Sequence, residues 1–298
     1  MKLATLNDGS RDGQLVVVSR DLATAHYATG IASRLQQALD DWNFLAPQLQ
    51  DLYDTLNFGK ARHAFAFDPA NCLAPLPRGP VWIGALPGDG GAPHWHQAGG
   101  DHFAGPRAPL PAFNPADGVD FSAELAAITG DVPRASPAAQ ALEAVRLLVL
   151  ANAVCLRGPL AAGDVLSARP FTAFSPVAVT PDELGDAWQG GRMHLNLLVH
   201  RNERRVAQAD AASAPLGFGE LLAQACRQRP LRAGSVLASG PLGLGSAAAK
   251  RALEQAEDGQ PTTACWQPGE TVRIEAKGAD GQSVFGTVAS TPCANAVQ

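Results

Sequence analysis

Extended runs at Lys2–Leu6 and Leu15–Val18, the second rich in β-branched residues, flank the turn signal Asn7-Asp8-Gly9 and predict a hairpin over residues 1–19. The spacing then changes from strand-like to helical. Leu35, Leu39 and Trp42 mark one helix, and Leu49, Leu52, Tyr53 and Leu56 mark a second, with Pro47 near its start, where a missing N–H does no harm. Between Ala74 and Asp117 Pro and Gly dominate and predict long surface loops, interrupted by one short strand at Val81–Leu86.

Glu124–Ile128 reads as a strand. Ser136 as N-cap and Pro137 at the first helical position predict a helix whose buried stripe is Leu142, Val145, Leu148 and Val149. Thr180-Pro181-Asp182-Glu183 repeats that start signal for a shorter helix. Leu195–Val199 and Arg205–Ala207 form a hairpin around Asn202-Glu203, and Phe218–Arg227 is a helix. Ser235–Ala238 is a strand, as are Thr271–Ala276 and Ser283–Val288, joined at Gly278-Ala279-Asp280-Gly281. No regular βαβ alternation and no fixed repeat occurs, so a mixed α+β fold with many antiparallel strands is expected rather than a doubly wound sheet.

Composition narrows the function classes. Of 298 residues, 46% are hydrophobic and 17% charged, a globular balance. The net charge of -5 and the scattered basic residues argue against a nucleic-acid surface. No apolar run is long enough to span a membrane, and residues 1–9 lack the apolar run of a signal peptide. Five cysteines, odd in number and never in a CxxC pair, fit a reduced, cytoplasmic chain.

Two loops carry candidate chemistry. Gly240-Pro241-Leu242-Gly243-Leu244-Gly245-Ser246 is glycine-rich, but Lys250 stands five residues beyond Gly245, whereas a phosphate loop needs its lysine directly after the last glycine. The run is therefore read as a turn after a strand. His94, His96 and His102, with Asp101, are similar to the HxHxDH pattern of metallo-β-lactamase-like hydrolases, but with three extra residues before Asp101. Imidazoles in such a loop could hold a transition metal, which leaves His94, His96 and His102 as an alternative metal cluster.

Asp120-Phe121-Ser122-Ala123-Glu124-Leu125 resembles the D-[FY]-E-x-E segment of the fumarylacetoacetate hydrolase superfamily. Asn152-Ala153-Val154-Cys155-Leu156-Arg157 resembles its N-D-V-S-x-R segment, and Arg169-Pro170-Phe171-Thr172-Ala173-Phe174-Ser175-Pro176 its K-P-x-x-x-F-x-P run. Leu231–Val236 and Gln267–Glu275 resemble two later elements, in the same order, so the likeness covers about two thirds of the chain. It implies a mixed β-roll or β-sandwich with flanking helices over 118–298. Connecting loops over 74–117 and a small N-terminal α+β domain over 1–73, as in longer bacterial members, precede it.

In that family the two glutamates of E-x-E and the aspartate of N-D-V bind Mg²⁺ or Mn²⁺, which holds a dicarbonyl substrate during C–C cleavage. The resemblance places Ser122 and Glu124 at the glutamate positions, Ala153 at the aspartate and Arg169 at a substrate-side lysine. Gly240-Pro241 replaces the substrate-side Gly-Thr pair, and nothing in residues 78–106 matches the family's His- and Glu-bearing stretch. Glu124 is the one retained ligand position, and Arg169 is expected to pair with it in a buried cleft. No metal is then expected unless the family activity persists. The implied protein is a catalytically inactive or repurposed homologue that binds a small carboxylate or dicarbonyl ligand. It forms a homodimer or pairs with an active paralogue. The alternative is an active enzyme that cleaves a C–C bond in a β-diketo acid of the acylpyruvate or fumarylpyruvate type, through Arg169 or a displaced metal.

Overall fold

A computed structural model describes residues 1–86, 93–164, 166–260 and 262–293. Its centre is a twelve-stranded sheet. Ten strands run in the order Phe65–Ala66, Thr24–Tyr27, Gln14–Val18, Lys2–Leu6, Ala178–Val179, Val145–Leu156, Ala123–Thr129, Val236–Ala238, Trp82–Leu86 and His94–Ala98. Two more, Val119–Asp120 and Phe171–Phe174, also pair with Val145–Leu156. Among the named strands described, only Val236–Ala238 and Trp82–Leu86 pair in parallel. A four-stranded antiparallel sheet, Arg204–Asp210, Asn196–Arg201, Val272–Lys277 and Ser283–Ser290, forms the second layer.

The large sheet is buried on both faces. One face meets the four-stranded sheet through Leu125, Leu148, Leu150, Leu197, Val199, Ile274 and Phe285. The other meets the helices Leu35–Asp40 and Trp42–Asn57 through Leu3, Leu15, Val17, Leu49, Tyr53, Ile128 and Val149. Alternation explains the division, because successive residues of each strand point to opposite faces. The result is an α+β sandwich with flanking helices, and its N-terminal strands belong to the same sheet as the rest.

Three sequence expectations are corrected. The helix begun near Ser136 covers only Ala138–Glu143, and its supposed stripe continues as the twelve-residue strand Val145–Leu156. A strand covered on both faces is apolar throughout, so its periodicity does not separate it from a buried helix. Pro47 lies inside the helix Trp42–Asn57, because Trp42 opens that helix instead of closing the preceding one. The segment 74–117 is not all loop: His94–Ala98 pairs antiparallel with Trp82–Leu86, so His94 and His96 lie on a sheet edge. Residues 87–92 of that segment lie outside the described residues.

Two further helical elements complete the frame. Pro181–Ala187 is a 3₁₀ turn rather than an α-helix, and left-handed Gly185 (φ 51°) interrupts it. The helix Ala247–Asp258, which the hydrophobic pattern did not predict, begins at the cap Ser246, whose Oγ accepts the Ala249 N–H at 3.1 Å.

Candidate functional site

Strand register brings the candidate residues together. Glu124 lies opposite Ala151, and Ala151 opposite Phe174. Two residues along, Ala126 pairs with Ala238, Ala238 with Gly84, and Gly84 with His96. Glu124 and His96 therefore share one sheet face, in adjacent cross-strand rows. Gly84 makes room for the imidazole: a Cβ there would fall 1.8 Å from His96 Cε1. On the same sheet face an aromatic floor, Trp82, Phe103 and Phe174, packs edge to face, with centroids 5.0 to 6.1 Å apart.

Glu124 is fully buried. Its Oε1 accepts the Ser122 hydroxyl at 2.6 Å and stands 3.7 Å from Arg169 Nη1, whose side chain is 7% exposed. Burial pushes the Glu124 carboxyl upward. The Arg169 charge, the Ser122 hydroxyl and the Gly240 N–H pull it back only in part. Burial, helped by the nearby Arg169 charge, lowers the His96 pKa to about 3, so its ring is neutral near pH 7.

Five buried polar atoms of these three residues have no hydrogen-bond partner among the described residues. They are Arg169 Nε and Nη1, His96 Nδ1 and Nε2, and Glu124 Oε2. Such atoms cost about 1–3 kcal/mol each when left unpaired, so a group this dense calls for a ligand or a functional reason.

The remaining candidates divide. Ser122 N–H donates to Asn152 Oδ1 at 3.2 Å, and Ala153 N–H to Ser122 O, which ties together the segments at which the resemblance implies metal ligands. Gly240 has φ 76°, and a Cβ on it would meet Ala85 O at 1.9 Å, so only glycine fits there. The glycine-rich run does not make a phosphate site. The helix that follows it has its Ala247 and Ala248 N–H groups already taken by the Asp120 carboxylate at 2.8 and 3.0 Å, and a second anion there would meet that charge. Asp120 also takes the Arg157 guanidinium.

The structure does not gather His94, His96 and His102. Among the described residues no three His, Cys, Asp or Glu side chains form a group that could hold a metal. His94 and His102 are exposed, and His96 is placed with Arg169 instead. Sequence spacing joined the histidines to one another; in the structure the His96 ring packs against Gly84, while His94 and His102 stay in solvent.

The positions that the resemblance implies for metal ligands, Ser122, Glu124 and Ala153, do not suit Mg²⁺ or Mn²⁺. Such an ion wants about six oxygen ligands, preferably anionic. Here one carboxylate remains, its Oε1 holds a hydroxyl, a fixed guanidinium stands beside it, and Ala153 offers no ligand.

Comparisons place the chain among known proteins. The family described as Fumarylacetoacetase N-terminal domain 2 matches residues 1–78, and the family described as Fumarylacetoacetate (FAA) hydrolase C-terminal matches residues 87–291. No curated protein sequence matches the chain. Among solved structures, maleylpyruvate hydrolase from Sphingobium sp. SYK-6, in complex with manganese(II) and pyruvate, superposes with a TM-score of 0.70 at 18% identity, over 98% of this chain and 99% of that one. Fumarylacetoacetate hydrolase from Exiguobacterium antarcticum gives 0.69 at 18%, over 99% and 100%. A probable 2-hydroxyhepta-2,4-diene-1,7-dioate isomerase from Mycobacterium abscessus gives 0.69 at 16%, over 98% of both chains. At such identities the likeness shows the fold, and with the two sequence matches it establishes that this chain belongs to the fumarylacetoacetate hydrolase family.

Proposed function

We propose that the chain acts on a small β-diketo acid of the acylpyruvate or fumarylpyruvate type and cleaves a C–C bond in it by hydrolysis. The reading is carried by one observation: Arg169, paired at 3.7 Å with Glu124, and His96, which feels the Arg169 charge, both present buried nitrogens without hydrogen-bond partners among the described residues. A ligand with carboxylate and enolate oxygens would supply those partners. In the reaction, water adds to the acyl carbonyl, the C–C bond breaks, and its electron pair passes into a pyruvate enolate that takes a proton at carbon. Arg169 would hold the oxygens on which that charge develops, and the aromatic floor would exclude bulk water and strengthen the attraction. Relatives described as a maleylpyruvate hydrolase and a diene-dioate isomerase support the substrate class.

A second reading is favoured by Ser122 and Ala153 at the family's ligand positions: a pocket that binds a small carboxylate without turnover, alone or beside an active paralogue. Incubation with acetylpyruvate and fumarylpyruvate, followed by loss of enol absorbance, separates the two. Turnover abolished by Arg169→Ala supports hydrolysis. Saturable pyruvate binding with no turnover supports the second reading. Neither turnover nor binding removes both.

A further inference from the structure

We propose that the Arg169 guanidinium takes the place of a divalent cation, so that the site binds its anionic ligand without metal. The inference rests on the oxo-acid reading above and adds how the charge of that ligand is met. Geometry carries it. The Arg169 Nη1 atom stands 3.7 Å from the one retained carboxylate, on a side chain almost wholly buried, so a positive charge is already fixed at the site. A metal ion approaching Glu124 would meet that charge and would find Oε1 engaged by the Ser122 hydroxyl.

The changes are also matched in charge. Loss of two carboxylates, at Ser122 and Ala153, removes two negative charges, and loss of one divalent cation removes two positive ones. The net charge of the site is therefore unchanged, with Glu124 and Arg169 left as a neutral pair. Eroding the carboxylates while keeping the need for a metal would leave no such balance. Exchange of lysine for arginine suits the new role, because a planar, weakly hydrated guanidinium is well suited to carboxylate recognition in a buried site. Arg169 Nε and Nη1 have no hydrogen-bond partner among the described residues, nor do the two ring nitrogens of His96, which lies within reach of the Arg169 charge. A neutral imidazole adds one N–H donor there and no charge, which makes the pair a receptor for an anion rather than a ligand set for a cation.

The test uses oxalate, a planar mimic of enolpyruvate, titrated calorimetrically into full-length protein with EDTA and then with Mn²⁺, while Mn²⁺ binding is followed separately by electron paramagnetic resonance. The expected result is oxalate affinity that EDTA does not change, no Mn²⁺ bound at millimolar concentration, and affinity about 10-fold or more weaker in Arg169→Met. If Arg169→Met fails to fold, the neutral pair Arg169→Met/Glu124→Gln gives the same readout. A reverse design, Ser122→Glu/Ala153→Asp/Arg169→Lys, should gain Mn²⁺ binding. Oxalate binding that requires Mn²⁺ and is lost in EDTA overturns this inference and leaves the oxo-acid reading standing. Absence of oxalate binding under every condition overturns the oxo-acid reading itself.

Discussion

At Glu124 burial and pairing oppose one another. A carboxylate with no solvent contact loses its hydration, and Arg169 at 3.7 Å with the Ser122 hydroxyl restores only part of the loss. Removing one partner leaves the other charge buried and alone. Arg169→Met is therefore expected to destabilise the fold by about 3–5 kcal/mol. Adding Glu124→Gln should return much of that, as a double-mutant cycle in urea would measure. His96 gives a pH dependence. Its folded pKa, about 3, lies below the unfolded value of 6.5, so between those limits the unfolded chain binds more protons. Stability then falls as pH drops from about 6.5 toward 3, by at most about 1.4 kcal/mol per pH unit from this group. Comparing unfolding midpoints of the natural chain and His96→Gln at pH 7 and pH 5 isolates it: the natural chain should lose more. These residues were named in the sequence, but the company His96 keeps was not, because cross-strand neighbours are set by register and not by spacing.

Single elements were legible where local chemistry settles them. The hairpin at Asn202-Glu203 formed as expected, with both residues at positive φ (48° and 65°), the geometry of a two-residue turn that suits strand twist. The stretch Val145–Leu156 was misread, since burial on both faces erases the alternation that marks a strand. The helix Ala247–Asp258 was missed although Ser246 caps its start and Gly259 its end, and it is also anchored from elsewhere in the chain. Asp120, 127 residues from Ala247, takes its first N–H groups and also holds Arg157. Asp120→Ala is expected to cost about 2 kcal/mol or more by losing a cap and a charged pair. A lower urea midpoint with reduced helical circular dichroism would show it; an unchanged midpoint would count against the anchoring role.

At the scale of the molecule, the N-terminal segment is part of the main sheet. Lys2–Leu6 pairs with Ala178–Val179, and Leu3, Leu15 and Val17 share a core with Ala126, Ile128 and Val149. Removing residues 1–73 would open the edge at Ala178–Val179 and strip the helices from one sheet face. The truncated chain is therefore expected to aggregate, and co-expression with the 1–73 fragment to restore soluble protein, read by size-exclusion chromatography. Among the described residues no helix is long and apolar enough to cross a membrane.

Sequence alone determined the family and located nine of the eighteen described strands, and the resemblance implied Glu124 as the one retained metal-ligand position. Those features live in short motifs whose residue types carry their meaning without reference to the rest of the chain. Tertiary structure decided the depth of the Glu124–Arg169 pair, the reach of the Arg169 charge to His96, the separation of the three histidines, and the carboxylate that fills the helix start after the glycine-rich run. Each of these depends on which distant strands lie side by side. Burial and field at a charged group come from such neighbours, and a linear pattern does not contain them.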